Sequence, residues 1–412
     1  MPECYLGIDL GTSGARAVVI DRGGNVMSEG KSALADHGEN HRNPALWWAA
    51  VTAAVRTALD PIPAERIVAL SVDGTSGTMV PVDSTGQPLS DGLMYNDTCA
   101  DTDLLARITA ASPETTAARG ATSGLARAAQ FSGLGATRIL HQADWVAGQF
   151  SGLWVSDENN ALKTGYDPVS GIWPDWVADI VDTDLLPVVV APGTAVGMVG
   201  QNSFGLPEEC RVVAGSTDGC ASFLATGANR AGDGVTALGT TLTIKLLSDA
   251  PVFAPEFGIY SHKVLGLWLA GGASNTGGNV LASAFPDGDL GRLSSQIDPE
   301  TDTGLSYYPL SRAGERFPVN DPDFAPVMGP RPQADSEHLK AILEGIASIE
   351  ALAYTRLSEL GAPALQSVRT VGGGAGNPVW TRIRERRLNV PMPAPLSGEA
   401  AYGAALLAKA GA

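Results

Sequence analysis

Three aspartates follow apolar segments of the chain, and each lies in a loop of glycine, serine and threonine. Asp9 ends the run YLGID and precedes LGTSG, Asp73 opens DGTSG, and Asp218 lies in AGSTDG. Two more glycine-rich loops occupy residues 271–278 and 372–377. Glycine lets the backbone approach a phosphate, exposed N–H groups bind it, and Mg²⁺ needs only one or two carboxylates. The combination favours a site for a nucleotide with Mg²⁺, although an Asp-Gly pair alone equally suits a plain turn.

Strands must position these loops, because each loop follows a short apolar segment. Residues 44–59 place apolar side chains at helical spacing between two such segments. In α/β domains, ligands bind beyond the carboxyl ends of the strands. We therefore predict an α/β fold with its functional loops at strand ends. The elements predicted in the N-terminal half are strands at 5–9, 15–20, 25–28, 66–72 and 209–213 and helices at 44–59 and 220–227.

The pattern of the N-terminus returns in the second half of the chain. LGTS at residues 10–13 and LGTT at residues 238–241 each lie between two predicted hairpin strands. A single core rarely exceeds roughly 250–300 residues. We therefore predict duplicated domains at residues 1–228 and 229–412. The elements predicted in the second domain are strands at 235–238, 242–247, 264–269 and 368–371 and a helix at 338–360.

Charge and composition argue against several classes of protein. The net charge of −17 argues against nucleic acid as a partner, because nucleic-acid binding needs a basic surface. The 4 cysteines form no CxxC pair, which favours a reducing compartment over a disulfide framework or a zinc site. The sequence shows no signal peptide and no apolar run of membrane-spanning length. We expect a cytoplasmic protein without a membrane partner, and either a monomer or a homodimer.

Several motifs of other enzyme classes are missing from the sequence. It contains no Walker motif, no GxSxG and no HExxH, and its histidines show no ligand spacing. Gly7, Gly11 and Gly14 do not give the GxGxxG spacing. This argues against a Rossmann dehydrogenase, which is one alternative for an α/β chain of this kind.

Taken in order, the loops resemble those of the FGGY carbohydrate kinases, of the superfamily of actin, hexokinase and the Hsp70 chaperones. The resemblance implies an α/β fold of two duplicated actin-like domains (ribonuclease H-like, ASKHA) around a deep cleft. It further implies that the N-terminal domain binds the sugar and the C-terminal domain binds ATP with Mg²⁺. The similar segments are residues 5–16 (YLGIDLGTSGAR), 141–167, 192–219, 238–241 and 371–380 (VGGGAGNPVW).

Within that family, three loops resemble the D-ribulose kinase branch of cyanobacteria and plants, once labelled xylulose-kinase-like. These are DGTSGT at residues 73–78, YND at 95–97 and GSTDG at 215–219. The resemblance implies transfer of the γ-phosphoryl group of ATP to the 5-hydroxyl of D-ribulose, with D-xylulose, L-ribulose or a polyol as alternatives. Two departures are Cys99, where many members carry arginine, and a chain shorter than most members.

The resemblance also implies roles for individual residues. Asp218 would be the general base that takes the proton from the attacking sugar hydroxyl, and Asp9 would hold Mg²⁺. The residues expected to bind ATP are Gly11, Thr12, Ser13, Gly239, Thr240, Thr241, Asn275, Gly373, Gly374, Asn377 and Trp380. The residues expected to bind the sugar are Ser13, Gly14, Arg16, Asp73, Thr75, Ser76, Asp97, Asp218 and Gly219.

These assignments have structural alternatives. Ser76 also suits a helix cap, Asp97 a surface loop, Arg16 an ordinary strand position and Trp380 a core position. A different class is a non-catalytic nucleotide-dependent binding protein of the actin/Hsp70 superfamily. Hsp70-like proteins carry a substrate-binding domain after the ATPase, and we expect none here.

Overall fold

The computed structural model describes residues 2–412, which form two compact units. The first unit comprises the described residues up to Ala225, together with His262–Gly266 and Glu399–Ala412. The second unit comprises Thr226–Ser261 and Leu267–Gly398. The predicted boundary at residue 228 assigns all later residues to one domain, and the observed units differ from that prediction at residues 226–228, 262–266 and 399–412.

Both units combine strands with helices. The strands are β1 (Cys4–Leu10), β2 (Gly14–Asp21), β3 (Val26–Ala33), β4 (Ile67–Gly74), β5 (Met79–Val82), β6 (Arg138–His141), β7 (Val155–Asp157), β8 (Val188–Val190), β9 (Ala195–Met198), β10 (Arg211–Thr217), β11 (Asp233–Leu238), β12 (Leu242–Ser248), β13 (His262–Val264), β14 (Leu267–Ser274) and β15 (Ser367–Val371). The α-helices are α1 (Pro44–Leu59), α2 (Thr102–Ala111), α3 (Gly124–Phe131), α4 (Gln142–Ser151), α5 (Glu158–Leu162), α6 (Asp175–Ala178), α7 (Asp218–Ala225), α8 (Gly278–Ala284), α9 (Leu290–Ser294), α10 (Asp335–Glu359), α11 (Pro378–Leu388) and α12 (Ala400–Ala410). Short 3₁₀ turns lie at Leu34–Asp36, Ala64–Arg66, Thr183–Leu185, Pro255–Phe257 and Gly373–Gly376. None of the helices within residues 2–412 is long and apolar enough to cross a membrane.

The first unit is built on a mixed sheet with the strand order β3-β2-β1-β4-β10-β9. β1 and β10 both run parallel to β4, so their carboxyl ends lie at the same edge of the sheet. The register places Asp9 of β1 directly beside Asp73 of β4. On the other side of β4, Ser216 of β10 pairs with Asp73, two residues before Asp218. The strand order therefore brings the three aspartates of the sequence analysis to one place.

Close backbone contacts hold α12 against the middle of this sheet. A Cβ on Gly7 of β1 would lie 2.0 Å from the carbonyl oxygen of Ala401. A Cβ on Gly403 would lie 1.9 Å from the carbonyl oxygen of Ala221, in α7. Glycine is required at both positions because helix and neighbour touch backbone to backbone. This packing explains why residues 399–412 belong to the first unit.

The second unit contains a sheet in which its four strands pair in the order β14-β12-β11-β15. β11 and β12 form the predicted hairpin, and β15 runs parallel to β11. A buried ion pair joins α10 to α11: Arg384 Nε and Nη2 donate to the two carboxylate oxygens of Glu350, each at 2.6 Å. Both side chains are inaccessible to solvent.

Two predictions about the second half were wrong. The predicted strand 264–269 is interrupted, because Leu265 and Gly266 adopt φ angles of 48° and 85°. The predicted loop 271–278 begins with residues that continue β14 as far as Ser274. Gly271 serves a close strand contact there, since its Cβ would lie 2.3 Å from the carbonyl oxygen of Ile244.

Candidate active site

The pair Asp9–Asp73 forms the centre of the site in the first unit. Asp9 is 6% exposed and Asp73 is completely buried. Neither carboxylate oxygen of Asp73 accepts a hydrogen bond from an N–H or hydroxyl group within residues 2–412. The register of β1 and β4 places Asp9 directly beside Asp73, so the two negative charges oppose each other unless a proton or a cation lies beside them. Burial raises the pKa of both, and the charge of Asp9 raises that of Asp73 further.

Asp218 is the third carboxylate of this cluster. It is the first residue of α7, directly after β10, and one of its carboxylate oxygens accepts a hydrogen bond of 2.7 Å from the Gly219 amide. Its negative charge raises the pKa of both Asp9 and Asp73, which shows that the three groups are close. A carboxylate at this strand-to-helix junction can accept a proton from a bound hydroxyl.

The carboxylates of Asp9 and Asp73 fit a Mg²⁺ ion. The described residues contain no group of three or more His, Cys, Asp or Glu side chains that would enclose a metal. Mg²⁺ does not need one, because it usually keeps several waters and takes one or two protein carboxylates. Such an ion, or one of its waters, would bind the two carboxylate oxygens of Asp73, which accept no hydrogen bond from an N–H or hydroxyl group of the described residues.

The loop after β1 leaves its polar groups accessible. The amide of Gly11 donates to the carbonyl oxygen of Gly14 at 3.0 Å, which closes a tight turn. Thr12 and Ser13, at the tip of this turn, are exposed. Gly14 is confined to glycine by its neighbour, since a Cβ there would lie 2.3 Å from the carbonyl oxygen of Ser32. The turn thus exposes two hydroxyls only a few residues after Asp9, at the carboxyl end of β1.

Arg16 lies beside the carboxylates but is already paired. Its Nη1 is 3.9 Å from Asp9 Oδ2 and 3.2 Å from Glu399 Oε2, and about half of the side chain is exposed. Glu399 immediately precedes α12. Arg16 therefore acts on Asp9 as a partial counter-ion rather than as an ordinary strand residue.

Thr75 and Ser76, both predicted to bind the sugar, have different surroundings in the loop after β4. The hydroxyl of Thr75 lies 2.7 Å from both Gln142 Oε1 and Thr78 Oγ1, inside a buried network. Ser76, by contrast, has a buried hydroxyl without a hydrogen-bond partner in the described part of the chain. The hydroxyl of Ser76 thus has an unused hydrogen-bonding capacity, while Thr75 holds the loop in shape. Gln142 was missed by the sequence analysis.

Asp97 is engaged by a second residue that sequence reasoning missed. Both guanidinium nitrogens Nη1 and Nη2 of Arg42 donate to its carboxylate, the latter at 2.6 Å. The amide of Met94 donates to the same carboxylate at 2.8 Å. These hydrogen bonds, Arg42 first, lower the pKa of Asp97. The carboxylate is therefore ionised and fixed in direction, with about a fifth of the side chain exposed.

The second unit contains a pocket of about 820 Å³. Six of the residues predicted to bind ATP line it, whereas Thr241 and Asn275 are not among its lining residues. The side-chain amide of Asn275 instead donates through Nδ2 to Gly314 O at 2.9 Å. Its Oδ1 accepts from Arg316 Nε at 2.9 Å. The predicted residues in the lining are Gly239, Thr240, Gly373, Gly374, Asn377 and Trp380.

Glycines open one wall of this pocket, and Asn377 and Trp380 shape it. A Cβ on Gly373 would meet nothing within 4 Å, whereas one on Gly374 would lie 2.6 Å from the Trp380 ring. Asn377 caps α11 by accepting hydrogen bonds of 3.1 Å from the amides of Val379 and Trp380. Trp380 is 2% exposed and its indole Nε1 donates to Leu343 O at 3.2 Å. Most of its ring therefore lies in the core of the second unit.

Comparison with known proteins gives a consistent family. Residues 4–109 match the N-terminal domain, and residues 227–412 the C-terminal domain, of the FGGY family of carbohydrate kinases. The gluconokinase of Bacillus subtilis is 23% identical over 93% of this chain and 82% of its own length. The xylulose kinase of Escherichia coli is 24% identical over 92% of this chain and 84% of its own length.

The fold comparison agrees with the sequence comparison. The crystal structure of xylulose kinase from Bifidobacterium adolescentis matches with a TM-score of 0.82 at 20% identity, covering 100% of this chain and 93% of that one. The predicted α/β fold with two actin-like (ASKHA) domains is thereby confirmed. FGGY kinases use ATP as the phosphate donor. This chain belongs to the FGGY family of carbohydrate kinases.

Proposed function

We propose that the protein transfers the γ-phosphoryl group of MgATP to a hydroxyl of a neutral sugar, with Asp218 as the general base. The observation that carries this proposal is the grouping of Asp9, Asp73 and Asp218 at the carboxyl ends of three adjacent strands. Phosphoryl transfer needs little covalent help from the protein, but it needs a positioned acceptor hydroxyl and a group to take its proton. The cluster supports both requirements, because Asp218 can take the proton and the Asp73 oxygens accept no hydrogen bond from an N–H or hydroxyl group of the described residues.

Each carboxylate has its own task in this proposal. Asp218 accepts the proton of the attacking hydroxyl, and the amide of Gly219 holds the Asp218 carboxylate in direction. Asp9 and Asp73 would hold Mg²⁺, which when bound supplies positive charge to the phosphate oxygens. The free hydroxyl of Ser76 hydrogen-bonds the sugar, and Asp97 offers it an ionised, fixed carboxylate.

The nucleotide belongs to the pocket of the second unit. Its volume of about 820 Å³ lies in the range that small-molecule sites use. Its lining, apart from Asn377, Thr240 and a few other polar side chains, is mainly apolar and glycine-rich, which suits a purine ring and its ribose. Phosphates would follow the glycine loops at Gly239 and Gly373, because the backbone N–H groups of such loops can bind phosphate oxygens.

The acidic surroundings favour a neutral sugar over a sugar acid. Asp218 would repel a substrate carboxylate, and the neighbouring Arg16 is already paired with Asp9 and Glu399. Among neutral sugars we propose D-ribulose, phosphorylated at its 5-hydroxyl, because the loops 73–78 and 215–219 resemble those of D-ribulose kinases. D-xylulose is the second candidate, supported by the similarity to proteins named xylulose kinase.

The test is ADP release with MgATP across D-ribulose, D-xylulose, L-ribulose, glycerol and D-gluconate. We expect D-ribulose to give the highest kcat/KM and gluconate to give no stimulation. Highest kcat/KM with D-xylulose would keep the kinase and replace the sugar. If no sugar raises ADP release above the basal rate while ATP still binds, the proposal is wrong, and a nucleotide-dependent binding protein becomes the better explanation.

A further inference from the structure

A buried arginine joins the two loops that carry the proposed sugar ligands. Arg127 lies on α3 and is 2% exposed. Its Nη1 donates to Gly77 O at 3.0 Å, and its Nη2 donates to Tyr95 O and, at 3.1 Å, to Asp97 O. Gly77 directly follows Ser76. One guanidinium group therefore binds the backbone of both loops.

Arg127 contributes hydrogen-bond donors to this site rather than apolar volume, as its electrostatic surroundings indicate. No carboxylate within residues 2–412 forms a salt bridge with it, and its Nε has no hydrogen-bond partner among those residues. Burial lowers the pKa of Arg127, and the charge of Asp97 opposes that shift. Burying a cation without a bonded counter-ion costs free energy. An apolar side chain would fill the same space without that cost, but it would leave three carbonyl groups without donors.

The start of α3 fixes where the guanidinium group lies. The amide of Gly124 donates to Lys163 O at 3.0 Å, and a Cβ there would approach that oxygen to 2.8 Å. Ser123 caps the helix by accepting from the Ala126 amide at 3.0 Å. Arg127 follows one turn later. Its reach to the loops is therefore set by a helix whose first residue is in direct contact with the backbone of Lys163 and the hydroxyl of Thr164.

The two loops are joined at their bases, where the amides of Met79 and Leu93 each donate to the carbonyl oxygen of the other at 2.9 Å, and Arg127 acts on the segments beyond that bridge. The amide of Tyr95 donates to Thr78 Oγ1 at 3.1 Å, and Thr78 also bonds Thr75. Gly77 adopts a φ of 86°, with its Cβ position 3.3 Å from Arg127 Nη1, so the loop turns directly at the guanidinium group. Beyond the Met79–Leu93 bridge, the distance between Ser76 and Asp97 thus depends on Arg127 together with the bond between Tyr95 and Thr78.

We propose that Arg127 is a positioning residue that sets the sugar selectivity of the enzyme through the spacing of these two loops. The inference rests on the proposed function, because it presumes that Ser76 and Asp97 bind the sugar. An enzyme distinguishes pentuloses that differ in the orientation of one hydroxyl by the positions of its own hydrogen-bonding groups. The hydrogen bonds of Arg127 reach neither the carboxylate cluster nor the nucleotide pocket, so its effect should be confined to the sugar.

The test compares Arg127→Lys and Arg127→Met with Arg119→Met as a matched control. Lysine keeps the charge but loses the planar fork, and methionine keeps only the apolar stem. Arg119 also clamps backbone carbonyls, those of Thr109 and Ser112, but neither carbonyl belongs to the two sugar loops. We expect Arg127→Lys to raise the KM for the sugar about tenfold, and Arg127→Met more, with the KM for ATP within about twofold. We also expect the preference between D-ribulose and D-xylulose to shrink, and Arg119→Met to match the wild type.

Two results would overturn the inference. One is an Arg127→Lys protein with native thermal stability whose sugar KM and sugar preference stay within about twofold of the wild type. The other is a parallel rise in the KM for ATP, which would mean general damage. Hydrogen exchange without substrates separates this inference from the proposed function: Arg127→Lys should speed amide exchange at residues 74–79 and 93–98, and Arg119→Met should not. Unchanged exchange would refute the clamp even if no sugar is phosphorylated.

Discussion

The contact between α12 and α7 makes Gly403→Ala a sensitive test of the fold around the active site. A methyl group at Gly403 would lie 1.9 Å from the carbonyl oxygen of Ala221, about 1.1 Å inside the 3.0 Å that real Cβ contacts respect. The obstacle is backbone, so no side-chain rotation relieves it. The two helices must separate, and α7 carries Asp218 at its first residue.

The expected magnitude follows from two opposing effects. Replacing glycine by alanine inside a free helix stabilises it by about 1 kcal/mol. Overpacking a tight contact typically costs about 1–3 kcal/mol, and a backbone clash belongs at the upper end. We therefore expect the free energy of unfolding to fall by about 2 kcal/mol. A displacement of about 1 Å at Asp218 should lower kcat by up to about 100-fold.

The assay is urea unfolding together with steady-state kinetics, with Gly133→Ala as the control. Gly133 lies in the same unit, and a Cβ there would meet nothing within 4 Å. The control should keep its stability and kcat. Stabilisation of Gly403→Ala by the amount that helix propensity predicts, with kcat unchanged, would refute the close packing of α12 on α7.

Two other predictions concern buried charges. Arg384→Met should lower the free energy of unfolding by about 3–5 kcal/mol, because it leaves Glu350 buried and unpaired, while Arg382→Met at the exposed pair with Glu300 should change little; equal effects in urea unfolding would contradict this. Burial, aided by the charge of Arg127, lowers the pKa of His141 to about 3. The unfolded chain therefore binds more protons than the native one between about pH 6.5 and pH 3, and this contribution to stability is lost as the pH falls through that range. His141→Gln should remove this part of the acid sensitivity, so a stability difference from the wild type that stays constant from pH 7 to pH 4 would contradict the assignment.

The carboxylate cluster could be predicted from sequence because each member ends a strand that the apolar pattern makes visible. Asp9, Asp73 and Asp218 meet because β1, β4 and β10 are parallel and adjacent, and parallel strands place their carboxyl ends at one edge. Family membership and the α/β fold are confirmed. The choice of D-ribulose stays a prediction, because sugar selectivity depends on loop geometry that no local pattern encodes.

The supporting residues could not be found in this way. Gln142, Arg42 and Arg127 act through contacts with residues at least 30 positions away in the sequence, and no spacing rule marks such pairs. The position of α12 was missed for a related reason: an apolar helix shows that it is buried, not which core covers it. Its small side chains at Ala401 and Gly403 were the one sign of close backbone packing.

The role of Asp218 is tested most directly by following the phosphorylated sugar itself. Wild type and Asp218→Asn are incubated with MgATP and D-ribulose, the sugar phosphate is quantified by mass spectrometry, and the affinities for sugar and ATP are measured by calorimetry. Loss of a general base should lower kcat by about 10²–10⁴-fold while both affinities change little. If Asp218→Asn forms sugar phosphate at a rate within about tenfold of the wild type, Asp218 is not the base.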